Sequence, residues 1–104
     1  MTRPLIPPPP PRRYLRHGML PQLAAFEAVV RLGSVLGAAD ALCVAQPTVS
    51  GHLRKLGDAL DVPLFQLHGK RLVPTDAALA LLEGTREVFA ALDRCEAVLS
   101  GLRP

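Results

Sequence analysis

The stretch from Ser34 to Leu60 constrains the fold most strongly, because it predicts two short helices joined by a tight connection. In the second of them, apolar residues recur at intervals of four, three and four positions and so share one stripe: Val49, Leu53, Leu56 and Leu60. Its other face has short hydrogen-bonding side chains at the N-terminal end and then cations: Gln46, Pro47, Thr48, Ser50, Arg54 and Lys55. A helix-turn-helix needs this arrangement, since the start of its second helix points at base edges while nearby groups hold phosphates. The segment therefore predicts binding to double-stranded DNA.

Another helix is expected before this pair. Pro21 is in a favoured first-turn position, Gly33 is a typical helix stop, and one face between them is apolar: Leu23, Phe26, Val29 and Val30. Ser34 is a good N-cap for the next helix, which should end at Leu42. Small residues in that helix permit close packing: Ala38, Ala39 and Ala41. The third helix, the predicted recognition helix, should run from Gln46 or Pro47 to Leu60.

The residues after the third helix predict a hairpin. Pro63 cannot continue a helix, so 62–65 should be extended, and 66–74 should form two short strands with a turn near Gly69. The tip of this hairpin is basic, with Lys70 and Arg71. We expect a wing whose loop contacts the phosphate backbone or the minor groove beside the recognition helix.

The last helix should be the longest element. Thr75 is its predicted N-cap, and it should run from Asp76 to about Leu102. Residues alternating at intervals of four and three form a coiled-coil seam over three heptads: Leu81, Thr85, Val88, Leu92, Cys95, Leu99 and Leu102. A lone helix would leave this seam in water, so we expect a homodimer through the last helix, with packing inside the same chain as the alternative. A second stripe, Leu82 and Phe89, should pack back on the winged domain.

Residues 1–18 differ in composition from the rest of the chain. They include five consecutive prolines, four arginines and no acid. Such a proline run favours polyproline II and excludes helix. We therefore expect a disordered Pro/Arg-rich extension at 1–18, a winged helix-turn-helix at 19–75 and a linker or dimerisation helix at 76–104.

Charge is segregated along the chain. The net charge of +3 combines +4 in residues 1–18 with −1 in the remainder, where 45–75 carries +2 and 76–104 carries −2. A strong unspecific polyanion binder would be more basic than this. The longest apolar run is six residues, too short to cross a membrane, and the start lacks the apolar stretch of a signal peptide. We expect a cytoplasmic protein.

The cysteines and histidines predict neither a metal site nor an enzyme. Cys43 and Cys95 have no CxxC spacing, and we expect two buried or half-buried thiols in a reducing cytosol. His52 is a candidate phosphate donor, with a partly exposed histidine without a role as the equal alternative, and His68 beside the turn is a candidate for assisting the wing. The sequence has no Ser/His/Asp set, nucleotide loop or HExxH pattern. We expect no cofactor, no metal and no catalysis.

An ordered set of residues runs through most of the chain: Leu23, Phe26, Gly33-Ser34, Ala38-Ala39, Leu42, Gln46-Pro47, Val49-Ser50, Leu53, Leu56, Val62, Leu64-Phe65, the basic wing and Pro74-Thr75. From Leu20 to about Leu102 this set resembles the N-terminal region of LysR-type transcriptional regulators. The resemblance implies a mainly α fold with a small β-hairpin wing: a winged helix-turn-helix followed by a linker helix that pairs two subunits. In that family a larger effector-binding domain normally follows, so a small-molecule inducer is expected only if such a C-terminal domain exists.

The chain departs from the family pattern at four places. Ala45 stands where Ser usually precedes Gln-Pro, which removes an N-cap worth about 1 kcal/mol. Gly51 replaces the usual Arg after Ser50, and Leu67 replaces an Arg that often follows Leu-Phe. Ala77-Ala78 stands in place of the usual Gly beyond the wing. These differences bear on affinity and base preference rather than on the fold.

The candidate DNA contacts divide by chemistry. The amide of Gln46 is the best candidate for pairing with adenine. Thr48 suits a thymine methyl group or a phosphate, and Ser50 a phosphate or base edge. The cations are expected to contact the backbone: Arg54, Lys55, Lys70 and Arg71.

Two other interpretations of the sequence stay open. One is the N-terminal winged-helix DNA-binding domain of a molybdate-type regulator, which has a similar arrangement of elements. The other is a coiled-coil assembly module that has lost DNA binding. Gly51, Leu67 and the weak net charge favour the second, whereas Gln46-Pro47 and the basic wing oppose it.

Overall fold

The computed structural model describes residues 18–104, so the expectation for the N-terminal extension concerns residues outside the described part, apart from Gly18. Three helices, a hairpin and a long fourth helix follow one another: α1 (Met19–Leu32), α2 (Val35–Leu42), α3 (Gln46–Leu60), β1 (Phe65–His68), β2 (Arg71–Pro74) and α4 (Asp76–Leu102). The predicted mainly α fold with a β-hairpin wing and a long last helix is confirmed.

The break between α1 and α2 follows from two adjacent residues. Gly33 ends α1 in the left-handed conformation at φ 69°, and its N–H donates to the carbonyl of Val29. The hydroxyl of Ser34 then accepts a 2.9 Å hydrogen bond from the N–H of Gly37, which caps the start of α2. Since glycine adopts positive φ without steric cost and serine is a favoured N-cap, both boundaries lie where the sequence predicts them.

The core consists of two adjoining clusters around the helix-turn-helix. Val49 and Leu56 of α3 are fully buried, and Leu53 and Leu60 are half-buried. One cluster joins α1 to α2 and α3 through small side chains, including Ala38 and Ala39. The other joins α1 to α3 and α4 through mostly large side chains and one alanine: Met19, Leu23, Phe26, Leu56, Leu64, Leu82 and Ala78. The apolar stripe predicted on α3 is therefore the face that packs against α1.

The hairpin β1–β2 is antiparallel and lies directly after α3. Its register pairs Phe65 with Pro74 at the base and His68 with Arg71 next to the turn. Gly69 occupies the turn at φ 65°, which glycine tolerates without the steric cost of a Cβ. At the base, the ring of Phe65 lies 5.9 Å from that of Phe26, so the hairpin is anchored to α1 while its tip extends into solvent.

Helix α4 is attached to the domain only by its first half. Ala78 and Leu82 are buried in the core, and Phe89 packs against the same cluster, as predicted for the second stripe. On the predicted seam, Thr85 is buried, and its hydroxyl donates to the carbonyl of Leu81 at 2.8 Å. This corrects the expectation that every seam residue packs against a second helix. The later seam residues are exposed: Val88, Leu92, Cys95, Leu99 and Leu102.

Three expectations about small residues were wrong. Cys43 and Cys95 are both exposed rather than buried or half-buried. Ala41 is exposed and does not join the contact that Ala38 and Ala39 make. Cys43 also ends α2 with φ 56°, a left-handed conformation that is unusual for a residue with a Cβ.

Candidate nucleic-acid interface

The polar face of α3 is open to solvent along its first turns. The side chains of Gln46, Thr48 and Ser50 are exposed, as are Pro47, Arg54 and Lys55, whereas His52 is half-buried. These residues lie around Val49, which is fully buried against α1 and α2. Burial of Val49 and Leu56 fixes the rotation of α3, so its polar face must point away from the domain.

The N-terminus of α3, like that of α1, has no side-chain cap, in contrast to the starts of α2 and α4. Ser34 caps α2 and Thr75 caps α4 with their hydroxyl groups. Residue Ala45 at the start of α3 has no side chain that could do so, and Pro47 follows within the first turn. Pro47 has no N–H, and the N–H of Thr48 donates to the carbonyl of Ala45 at 3.0 Å, so this first turn offers few backbone donors and its contacts to DNA must come mainly from side chains.

Gly51 leaves space on the exposed face of α3. A Cβ added there would have no heavy atom of the described residues within 4 Å outside the helix's own backbone. The absence of a side chain is therefore not required by packing. It shortens the cationic face, because the next cation along the helix is Arg54.

The wing brings a second set of cations to the surface. Lys70 lies in the turn and Arg71 begins β2 opposite His68, and all three side chains are exposed. Among the described residues, the ion pairs are Arg31 with Glu27 and Arg103 with Glu96. The predicted DNA-contacting cations of α3 and the wing are thus not neutralised by carboxylates in the described part of the chain.

The described residues provide little for other chemistry. No group of three or more His, Cys, Asp or Glu side chains in residues 18–104 is arranged to hold a metal ion. None of the helices formed by those residues is long and apolar enough to cross a membrane. The candidate site is therefore a surface of hydrogen-bonding and cationic side chains on α3 and the wing.

A second surface lies beside α4. An apolar groove of about 840 Å³ runs between the first turn of α1, the end of α3 and the first half of α4. Four residues of α1 line it: Met19, Leu20, Pro21 and Leu23. Sequence reasoning named Pro21 and Leu23 as parts of the first helix but assigned none of the four to a groove. The available signal was Leu20, an apolar residue that lies outside the predicted core face and is half exposed. The groove also includes the seam residues Leu81, Thr85, Val88 and Leu92.

Comparison with known proteins identifies a family and relatives with similar sequences. The family model described as "Bacterial regulatory helix-turn-helix protein, lysR family" matches residues 20–79. The "HTH-type transcriptional activator CmpR" of Synechocystis sp. is 33% identical over 89 residues, which are 86% of this chain and 29% of that protein. The "RuBisCO operon transcriptional regulator" of Allochromatium vinosum is 38% identical over 87 residues, 84% of this chain and 29% of the relative. The chain thus spans less than a third of the length of these relatives.

A solved structure agrees with the sequence relatives. The crystal structure of the BenM DBD in complex with catB site 1 DNA has a TM-score of 0.75 and 25% identity to this chain. The match covers 80% of this chain and 92% of that one. The description of the matching family model and the names of the relatives favour the LysR family over the molybdate-type alternative. The chain therefore belongs to the LysR family of bacterial helix-turn-helix regulatory proteins.

Proposed function

We propose that this chain is the sequence-specific DNA-binding and dimerisation part of a cytoplasmic transcriptional regulator. The observation that carries the proposal is the arrangement of α3: Val49 and Leu56 are fully buried, while Gln46, Thr48 and Ser50 are exposed at its start. The start of a recognition helix approaches base edges in the major groove. The similar BenM DBD has been solved in complex with DNA, which supports DNA as the partner of this surface.

Within this interface we assign different roles to amides and cations. Gln46 is the first residue of α3 and is exposed, so its amide can pair with an adenine in the major groove. Thr48 and Ser50 supply shorter hydrogen-bonding groups to bases or phosphates. The exposed cations hold phosphates and set the register on the duplex: Arg54 and Lys55 on α3, with His52 nearby, and Lys70 and Arg71 on the wing.

The proposed dimer rests on the exposed apolar side chains in the C-terminal half of α4. Val88, Leu92 and Leu99 are each 42% to 50% exposed, and Leu102 is 75% exposed. A helix that exposes leucines at heptad spacing requires a partner surface. The apolar groove beside α1 offers one, since it lies against the first half of the same seam.

An antiparallel pair of α4 helices would cover both the exposed seam of α4 and the apolar groove beside α1. In that arrangement Leu92 meets the Leu92 of the second copy, Val88 meets its Cys95, and Leu81 meets its Leu102. The exposed C-terminal leucines of one copy then enter the groove of the other. A parallel pair would instead leave the groove open, because the two C-terminal ends would contact only each other.

One flank of the seam also favours close approach of the two helices. Gly84, Ala91 and Val98 recur every seven residues beside the seam. A Cβ added at Gly84 would meet no heavy atom within 4 Å in the described part of the chain, apart from the backbone of α4 itself. In the antiparallel pair, Gly84 faces Val98 of the second copy, and Ala91 faces its own counterpart.

A selection experiment tests the proposed function. The parent chain is used to enrich duplexes from a random pool, and the enriched duplex is compared with a scrambled duplex of the same composition at several salt concentrations. We expect the enriched duplex to bind more tightly by more than about tenfold, since specific sites usually exceed unspecific ones by much more. Enrichment of no sequence would favour the alternative of an assembly module that has lost DNA binding, to which Gly51 and the exposed seam also point.

A further inference from the structure

The wing has an apolar pair at its outer end. Leu67 and Leu72 are cross-strand partners, one step from the turn. Side chains alternate across a strand, so Leu67 lies on the same face of the hairpin as Phe65. Because the ring of Phe65 packs against Phe26 of α1, that face is the one turned towards the domain. The apolar face of the hairpin therefore continues past the edge of the core.

The described part of the chain leaves Leu67 largely uncovered and Leu72 partly uncovered. Leu67 is 72% exposed and Leu72 is 37% exposed, whereas Phe65, two residues earlier, is half-buried. The opposite face carries polar side chains next to the turn, namely His68 and Arg71, and then Gln66 paired with the half-buried Val73. The end of the wing thus has an apolar side facing the domain and cations at its tip.

The position of this apolar side identifies what could cover it. Phe65 packs against the buried cluster that also contains Val49 of α3 and contacts Leu53. Phe65 also lines one cleft with Leu53 and Arg54 of α3, so Leu67, two residues nearer the tip on the same face of the hairpin, is on the side next to the recognition helix. A duplex presents the C–H surfaces of deoxyribose between rows of phosphates, and apolar side chains of DNA-binding proteins contact the minor groove next to cations.

We propose that Leu67 and Leu72 pack against deoxyribose in the minor groove beside the site of α3, while Lys70 and Arg71 hold the flanking phosphates. The inference rests on the proposed DNA-binding function and deepens it. It also gives a role to a departure from the family pattern, since Leu67 stands where an arginine is frequent. The wing of this chain exchanges one phosphate contact for an apolar contact that salt does not screen.

Salt dependence separates an apolar contact from an ionic one. Neutral substitution of a residue that covers deoxyribose lowers affinity equally at all salt concentrations, because no counterion is released by that contact. We expect Leu67→Asn to raise the Kd for the enriched duplex about tenfold, which corresponds to about 1.4 kcal/mol, without changing the slope of log K against log salt. Leu67→Arg should instead steepen the slope by about one unit.

The matched control is Leu79→Asn, which changes a half-exposed leucine of α4 that lies off the seam. It should leave the Kd unchanged, and all three variants should keep the parent's melting temperature, since the side chains are exposed. An unchanged Kd for Leu67→Asn on a duplex that the parent binds would overturn the inference alone. A shift of Leu67→Asn from dimer to monomer in sedimentation without DNA would also overturn the inference, because it would show that a second copy of the chain covers Leu67 and Leu72. Failure of the parent to bind any duplex would overturn both proposals.

Discussion

The hydroxyl of Thr75 donates a 2.7 Å hydrogen bond to the carbonyl oxygen of Pro63, which ties the two ends of the wing together. The same hydroxyl accepts from the N–H of Ala78 at 3.1 Å and so caps α4. The backbone N–H of Thr75 also donates to the carbonyl of Leu64. One residue thereby fixes the wing and α4 relative to each other.

Thr75→Val should test this connection. Valine keeps the shape of threonine but removes both hydroxyl hydrogen bonds, and we expect a loss of about 1–2 kcal/mol in the free energy of unfolding. Thr75→Ser retains the hydroxyl and should lose much less. Denaturant unfolding at one fixed protein concentration measures both. Equal losses for valine and serine would show that the methyl group, not the hydroxyl, stabilises the junction.

The folded chain should be more stable with glycine in place of Cys43. The φ of 56° at Cys43 places its Cβ in a conformation that costs an L-residue roughly 1–2 kcal/mol. We expect Cys43→Gly to raise the free energy of unfolding by about 0.5–1 kcal/mol, because part of the relief is offset by the greater freedom of glycine in the unfolded chain. Cys43→Ala removes the thiol but keeps the Cβ, so it should bring no gain. A gain from alanine as large as that from glycine would contradict the backbone explanation.

Gly51 should tolerate side chains on the exposed face of α3. Because a Cβ there meets nothing within 4 Å beyond the helix's own backbone, Gly51→Ala should stabilise the chain by about 0.8–1 kcal/mol through helix propensity. Gly51→Arg should in addition steepen the salt dependence of DNA binding by about one unit. Gly33→Ala is the opposite control, since Gly33 has φ 69°, and it should destabilise. A destabilising Gly51→Ala would mean that α3 is not helical at this position in solution.

The dimer should depend on Leu92 and have a defined direction. Leu92→Glu places an unpaired charge in the proposed seam and should give monomers in sedimentation, whereas Ala97→Glu on the exposed outer face of α4 should leave the dimer intact. Direction can be read from cross-linking under oxidation. With Cys95→Ser, the substitution Leu92→Cys should form an intermolecular disulfide readily, while Cys95 of the parent should not. Efficient cross-linking through Cys95 alone would indicate a parallel pair.

Local chemistry made the helix boundaries predictable. Gly33, Ser34 and Thr75 act on neighbouring backbone groups only, so their positions in the sequence are sufficient to place α1, α2 and α4. The stripe from Val49 to Leu60 fixed which face of α3 packs inwards, and this left Gln46 and its neighbours on the outer face. Most of the candidate DNA-contacting surface could therefore be inferred from periodicity.

Features that depend on distant elements could not be inferred in this way. Thr85 has the heptad spacing of the seam but is buried in its own domain, because α4 packs against α1 at that level. The groove is lined by residues of both α1 and α4, including Leu20 and Leu81, and nothing in the sequence spacing indicates that these two helices enclose it. Cysteine is usually a buried residue, but Cys43 and Cys95 are exposed. Their exposure depends on where α2 ends and where α4 leaves the domain.

The most direct test of DNA reading compares Gln46→Ala with Lys70→Ala on enriched and scrambled duplexes over a range of salt concentrations. Gln46→Ala should weaken binding to the enriched duplex by about 1–3 kcal/mol, relax preference at one base position and leave the scrambled duplex nearly unchanged. Lys70→Ala should weaken both duplexes alike and reduce the salt slope by about one unit. Equal weakening of both duplexes by Gln46→Ala, with no change in base preference, would contradict the assignment of α3 as the helix that reads the sequence.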